Sequence, residues 1–285
     1  MLIDAHSHAF QPEEVEIIAQ RMELLDASLP PEDPNKWRLR TGADLEGLVA
    51  GMAEAGVDRM VLLPVTGKAE RTADLIRWSA EAARRHPQII PFGTLHPGGR
   101  VAEDLALMTG LGLKGVKLHP FIQRFALDAP QTLKMLRLIA EAGLPVTMDT
   151  LFNQGLVAAK PHLAWLRQVF GFAGAAPEQV AAAARAVPGL RLIAAHGGCL
   201  YGWDRLEPLM GLDNVYFDLS YLKGLLPPER VVELVRAKGP ERVLYGSDAP
   251  YRHPARHRQW FEELPLTPAE REMVAAGTAR RLLDL

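Results

Sequence analysis

Eight short apolar runs recur along the chain, each ending in polar residues and each followed by a stretch with helical spacing. They cover residues 1–8, 57–65, 89–96, 115–119, 144–149, 190–196, 214–221 and 242–248. The intervening stretches show the stop signals of helices. Residues 44–55 are closed by Gly56, 69–86 by Pro87 and 130–142 by Gly143, with further helices over 101–111 and 266–283. Strands that alternate with helices pair in parallel through helical crossovers. Eight such units close naturally into a (β/α)8 TIM barrel, which typically takes about 250 residues. An open doubly wound sheet would need a glycine-rich phosphate loop after its first strand, and His8-Ala9-Phe10-Gln11 is not one. The expected fold class is therefore α/β, one barrel domain over residues 1–285. Residues 11–40 interrupt the rhythm with Pro30, Pro31 and Pro34, and residues 22–40 are expected to form a lid over one end.

A parallel barrel delivers the C-terminal end of every strand to one face, where barrel enzymes place their chemistry. That rim would collect His6 and His8, His96, Lys117 and His119, Asp149, His196, Asp218 and Ser220, and Asp248. His6 and His8 sit two apart, so in a strand both imidazoles face one way and can converge on a metal ion. Burying imidazoles and carboxylates without partners is costly, and shared coordination of a cation satisfies several at once. Lys117 and His119 alternate with Val116 and Leu118, and Thr147 and Asp149 with Val146 and Met148, which turns the polar members inward.

The remaining composition narrows the partners. A net charge of −2 over 285 residues gives no electrostatic case for nucleic acid or a membrane surface. No apolar run approaches the roughly 18 residues of a membrane span. The acidic and histidine-bearing start does not read as a secretory leader, and the single cysteine, Cys199, fits a reducing compartment. A cytoplasmic protein acting on a small molecule is expected, with self-association left open.

Four ordered motifs carry a resemblance. Asp4-Ala5-His6-Ser7-His8, Gly115-Val116-Lys117-Leu118-His119-Pro120, Ala195-His196-Gly197-Gly198 and Gly246-Ser247-Asp248-Ala249-Pro250 together resemble the amidohydrolase superfamily. More narrowly they resemble its aminocarboxymuconate-semialdehyde-decarboxylase-like branch, amidohydrolase-2, and Ala276 to Leu283 resembles that branch's closing helix. The resemblance implies one divalent metal ion, usually zinc, held by His6, His8, a residue ending the fifth strand and Asp248, with His196 in acid/base catalysis.

The fifth strand departs from the pattern: Asp149 stands where the family usually has histidine. A carboxylate is a legitimate zinc ligand and also accepts harder ions, so manganese is the alternative metal. Otherwise Asp149 does not touch the ion and pairs, for instance, with Lys117, and His119 or His196 completes the coordination. Lys117 is read as an unmodified side chain that orients substrate or pairs with a carboxylate, although in two-metal relatives a lysine on this strand is carboxylated and bridges two ions. His96, His119, Arg124 and Arg252, with Lys223, are candidates for recognising substrate, and Trp37, Trp203 and Tyr251 for lining the pocket. The leading expectation is hydrolysis of a small amide, ester or lactone by metal-activated water, with His196, Asp248 and Lys117 as catalytic residues. The alternative is nonoxidative decarboxylation of an unsaturated or aromatic carboxylate. A third reading is a barrel that binds a ligand without catalysis.

Overall fold

The computed structural model describes residues 1–30, 36–166 and 174–285. Its strands are β1 (Ile3–Ser7), β2 (Arg59–Leu62), β3 (Ile89–Pro91), β4 (Gly93–Thr94), β5 (Val116–Leu118), β6 (Val146–Met148), β7 (Leu192–Ala194), β8 (Val215–Asp218) and β9 (Val243–Leu244). All neighbouring pairs run parallel, in the orders β1-β2-β3 and β4-β5-β6-β7-β8-β9.

The two sheets are parts of one barrel. β3 and β4 are halves of the third expected strand, parted only by Phe92. Pro91 has no N–H to give, and the Phe92 and Gly93 amides turn to opposite neighbours, Leu62 O at 3.2 Å and Gly115 O at 2.9 Å. At the other seam β1 meets the chain that continues β9. Ala5 N donates to Tyr245 O at 2.9 Å, Asp248 N to His6 O at 2.8 Å and His8 N to Ala249 O at 2.7 Å.

Two apolar populations follow from the alternation of each strand. Ile3, Ala5, Val61, Leu63, Ile90, Phe92, Ile193 and Leu244, from β1, β2, β3, β7 and β9 and the chain at their ends, form one cluster and fill the lumen. Ala276, Ala279, Leu282 and Leu283 of the last helix, Thr278–Leu283, join them from below. The alternate residues, among them Val116, Leu118, Val146, Met148, Leu192 and Phe217, pack outward among the helices.

Helices begin where the sequence supplies caps. The Asp44 side chain accepts from Gly47 N at 2.8 Å ahead of Leu45–Glu54, and Thr267 with Glu270 forms a capping box ahead of Pro268–Glu272. Proline opens Pro12–Leu25, Pro130–Glu141, Pro177–Ala186, Pro228–Lys238 and Pro254–Glu263. The expected helix over 69–86 starts as a 3-10 turn, Ala69–Arg71, before Thr72–Arg85, and a π turn, Met273–Gly277, divides the one over 266–283.

Candidate metal centre and active site

β1 carries His6 and His8 to the rim, but not by simple alternation. With Ile3 and Ala5 inside the lumen, strict alternation would turn His6 outward. The register against β2 shifts between Asp4 and Ser7, and this irregularity brings both imidazoles in. Gly246 is what allows the approach, since a Cβ there would lie 2.9 Å from His6 Cβ. His6 Nδ1 is 2.8 Å from Asp218 Oδ2, and His8 Nδ1 is 2.8 Å from the Leu63 carbonyl oxygen. Both Nδ1 atoms therefore carry hydrogen, and both Nε2 lone pairs face each other at 3.2 Å. Asp248 Oδ1 stands 3.3 Å from His8 Nε2 and 3.6 Å from His6 Nε2.

These three donors fit a divalent cation. Tetrahedral ligands bound at 2.0–2.2 Å lie roughly 3.3–3.6 Å apart. Two buried lone pairs and a carboxylate oxygen facing one point repel unless a positive charge sits among them. Each imidazole also has the outer hydrogen bond that a ligating histidine usually makes.

A second cluster adjoins the first. Asp149 Oδ2 accepts from Lys117 Nζ at 2.9 Å, while Asp149 Oδ1 lies 3.3 Å from His196 Nε2 and 3.5 Å from His119 Nε2. Lys117 is fully buried and also reaches His6 Nε2 at 3.2 Å. His6, Asp149 and His196 form a further three-donor group, but Asp149 does not join His8 and Asp248. Burial would raise the Asp149 carboxyl, but His119, Lys117 and His196 hold it well below the usual carboxylate range. Burial would lower His196, yet Asp149 beside its ring, with Asp248 and Asp218 behind, raises it to about 9. His119 is pushed down to about 4 by burial, and His6 to about 4 by burial and the neighbouring Lys117.

Backbone strain gathers at the same rim. His196, Tyr201, Tyr221 and Asp248 have φ of 58°, 59°, 66° and 67°. Non-glycine residues held in this region cost on the order of 1–3 kcal/mol each and cluster at functional sites. Behind His196, Gly198 has φ of 92° and sits where a Cβ would lie 2.8 Å from the Phe217 ring.

Asp218 and Ser220 received no role from the sequence, although their two-residue spacing at a strand end is the same signal that marks His6 and His8. Asp218 Oδ1 accepts from His196 N and Ser220 N, both at 3.0 Å, and from the Ser220 hydroxyl. Ser220 Oγ lies 2.8 Å from His196 Nδ1.

Above these groups stands an aromatic and cationic mouth. Tyr251 lies edge-on to His8, with ring centres 5.8 Å apart, and Tyr221 to His196 at 5.9 Å. The Arg252 guanidinium covers the Tyr221 ring at 3.9 Å, and Trp203 Nε1 donates to His196 O at 2.9 Å. Burial, with the like charges of Arg38, Arg252 and Arg256, pushes Arg40 down. Lys223 Nζ donates to the Arg256 carbonyl at 2.7 Å. Two candidate substrate residues sit differently. His96 Nε2 pairs with the Gln123 carbonyl at 3.2 Å, and Arg124 is exposed at the end of the short helix Pro120–Gln123.

Of the expected lid, residues 31–35 lie outside the described residues. Its flanks are tied down at Asp26, which is fully buried. The Asp26 carboxylate accepts from Trp37 N at 2.5 Å and Lys160 Nζ at 3.2 Å, and meets His162 Nε2 at 2.7 Å. Trp37 packs against the apolar cluster that includes Leu151, Leu163 and Tyr221, as does Tyr251.

A parallel barrel with a histidine pair on its first strand and an aspartate after its last defines a metal-dependent barrel architecture. The family model Amidohydro_2, amidohydrolase, matches residues 3–285, and the chain belongs to that family. No curated protein sequence matches it. Among solved structures, it is similar to an uncharacterized Tim-barrel protein from Bordetella bronchiseptica, with 21% identity, TM-score 0.70, and coverage of 99% of this chain and 98% of that one. It is also similar to 5-carboxyvanillate decarboxylase from Sphingomonas paucimobilis, with 18% identity, TM-score 0.71, and coverage of 100% and 99%. A third is dihydroxybenzoic acid decarboxylase from Polaromonas sp. JS666, solved with manganese and the inhibitor 2-nitroresorcinol, with 18% identity, TM-score 0.71, and coverage of 100% and 97%.

These neighbours overturn the leading expectation. Hydrolysis of an amide, ester or lactone is not the reaction they stand for, because decarboxylases of aromatic carboxylates predominate among them. The sequence expectation gave too much weight to a metal-activated water, which the motifs of this superfamily accommodate as readily as they do other chemistry. No described helix is long and apolar enough to cross a membrane.

Proposed function

We propose that the protein is a metal-dependent, nonoxidative decarboxylase of an unsaturated or aromatic carboxylate. The observation that carries this reading is the Asp149 carboxylate, set between Lys117 Nζ at 2.9 Å and His196 Nε2 at 3.3 Å. The negative charge of Asp149 raises that imidazole to about 9 and favours its protonated form, while Asp149 itself is ionised and tied to Lys117. The site is thus better supplied with a proton donor than with a base for activating water. Decarboxylation needs that donor. The bond from the carbon framework to the carboxylate breaks, carbon dioxide leaves, and the electron pair left on carbon takes the proton from His196 Nε2.

His6, His8 and Asp248 would hold one divalent ion, with Asp149 beside them. Bound there, the ion supplies Lewis acidity that anchors and polarises substrate oxygens. Two imidazoles and a carboxylate accept either zinc or manganese. Lys117 faces the same space and orients the anionic substrate. Arg252, with Lys223 nearby, gives the mouth a positive potential suited to a carboxylate. Tyr251 and Tyr221 supply ring faces and exclude water from the histidines.

The test uses protein loaded with manganese or zinc and a panel of hydroxybenzoates and unsaturated dicarboxylates, with carbon dioxide release as the readout. Release from at least one, abolished by His196→Asn with the ion retained, supports the reading. No release from any of them with either ion rejects it.

A further inference from the structure

One carboxylate on β8 touches both histidines that matter most. Asp218 Oδ2 meets His6 Nδ1 at 2.8 Å, and Asp218 Oδ1 holds the Ser220 hydroxyl, whose oxygen is 2.8 Å from His196 Nδ1. Ser220 Oγ is also 3.2 Å from His6 Nδ1. All four side chains are buried.

The hydrogens in this unit can be assigned by counting. Asp218 Oδ1 already accepts two backbone N–H groups, from His196 and Ser220, so it is an acceptor. A hydroxyl has one hydrogen and two lone pairs. The Ser220 hydrogen goes to Asp218, which leaves Oγ only lone pairs to offer His196, so His196 Nδ1 must donate. Between Asp218 Oδ2 and His6 Nδ1 the hydrogen belongs to the more basic partner, the imidazole. Both histidines are then fixed with Nδ1–H, and both turn Nε2 into the site. His6 Nε2 becomes a lone pair for the ion, and His196 Nε2 becomes the position that exchanges a proton with substrate.

We infer that Asp218 and Ser220 are positioning residues that set the tautomers of the metal-binding and the acid/base histidine together. Asp218 acts on the His6 ring directly and on the His196 ring only through the Ser220 hydroxyl, its direct bond to His196 being to the backbone N–H. The two roles are therefore separable by substitution. The part concerning His196 in turnover rests on the decarboxylase reading; the tautomers and the metal affinity do not.

Two measurements decide it. In zinc-loaded wild-type protein with 15N-labelled histidine, the Nδ1 resonances of His6 and His196 should lie in the protonated range at every pH at which the protein is folded. Loss of signals in His6→Gln and His196→Gln assigns them. An unprotonated Nδ1 on either ring overturns the inference. By competition with a chelator, Asp218→Asn should lower metal affinity by about 10–100-fold, the usual effect of losing an outer partner of a ligand. Ser220→Ala should lower metal affinity less than Asp218→Asn does, lower kcat by about 10–100-fold with KM unchanged, and let the neutral His196 ring adopt Nε2–H. Equal metal affinity in Asp218→Asn and wild type, or a loss of affinity in Ser220→Ala as large as in Asp218→Asn, overturns it. Should wild-type protein release no carbon dioxide, the decarboxylase reading fails while the tautomer and metal measurements still decide this inference.

Discussion

Asp149 does most to decide what the neighbouring residues can do. Its carboxylate lies between the Lys117 ammonium and the His196 and His119 rings, and it is the main source of the raised His196 value near 9. Asp149→Asn keeps the size and removes the charge, so His196 should fall back toward about 6.5, the ordinary imidazole value. A reaction that needs protonated His196 would then lose its alkaline side at lower pH. The sign for stability is the same. A histidine whose folded pKa exceeds its unfolded one stabilises below about pH 6.5, and that contribution disappears as pH climbs through the folded value. The pH dependence of kcat, measured in wild type and Asp149→Asn, checks the shift, and a fixed alkaline limb would contradict it. His6, His8 and Asp248 are legible in the sequence because each sits in a short motif at a strand end. The bond from Asp218 to His6 is not, since it joins residues 212 positions apart across the closed ring.

Among the elements, the two longest excursions are fastened to each other. The segment after Pro12–Leu25 and the segment around Pro161–Leu163 meet at Asp26, Lys160 and His162, with Lys160 Nζ 4.7 Å above the Trp37 ring. Asp26→Ala would remove the ion pair with Lys160, the contact with His162 and the acceptor of the Trp37 amide. A hydrogen bond to a charged group contributes about 1.5–3 kcal/mol, and chemical denaturation should show a loss of at least that order. Cleavage by a protease should also begin in these segments before the barrel unfolds. A midpoint unchanged from wild type would mean that the tie contributes nothing. Helices are readable from the sequence because caps and stops such as Asp44, Gly56 and Gly143 are local signals. The Asp26 tie is not readable, because nothing near Asp26 in the chain distinguishes it from a surface aspartate. The break at Phe92 is equally hidden in an apolar run that looks continuous.

At the scale of the whole molecule the barrel is legible from its rhythm, since eight repeats of strand and helix leave few other ways to close a sheet. The metal group joins β1 to the segment after β9 across the closing seam, so ion binding should brace the ring. An ion present at a hundredfold excess over its dissociation constant adds about 2.7 kcal/mol of stability. For a chain of this size that raises Tm by roughly 5 °C or more. Melting with zinc or manganese against melting with a chelator measures it, and identical curves would mean that the three donors hold no ion. The apolar filling of the lumen, sealed from below by Ala276, Ala279, Leu282 and Leu283, has a consequence for traffic. The vessel has a floor, so whatever reaches His196 comes in from the opposite face, where Tyr221, Tyr251 and Arg252 lie, and leaves by that same face. Arrival and departure cannot overlap, and each turnover must clear the threshold before the next can begin.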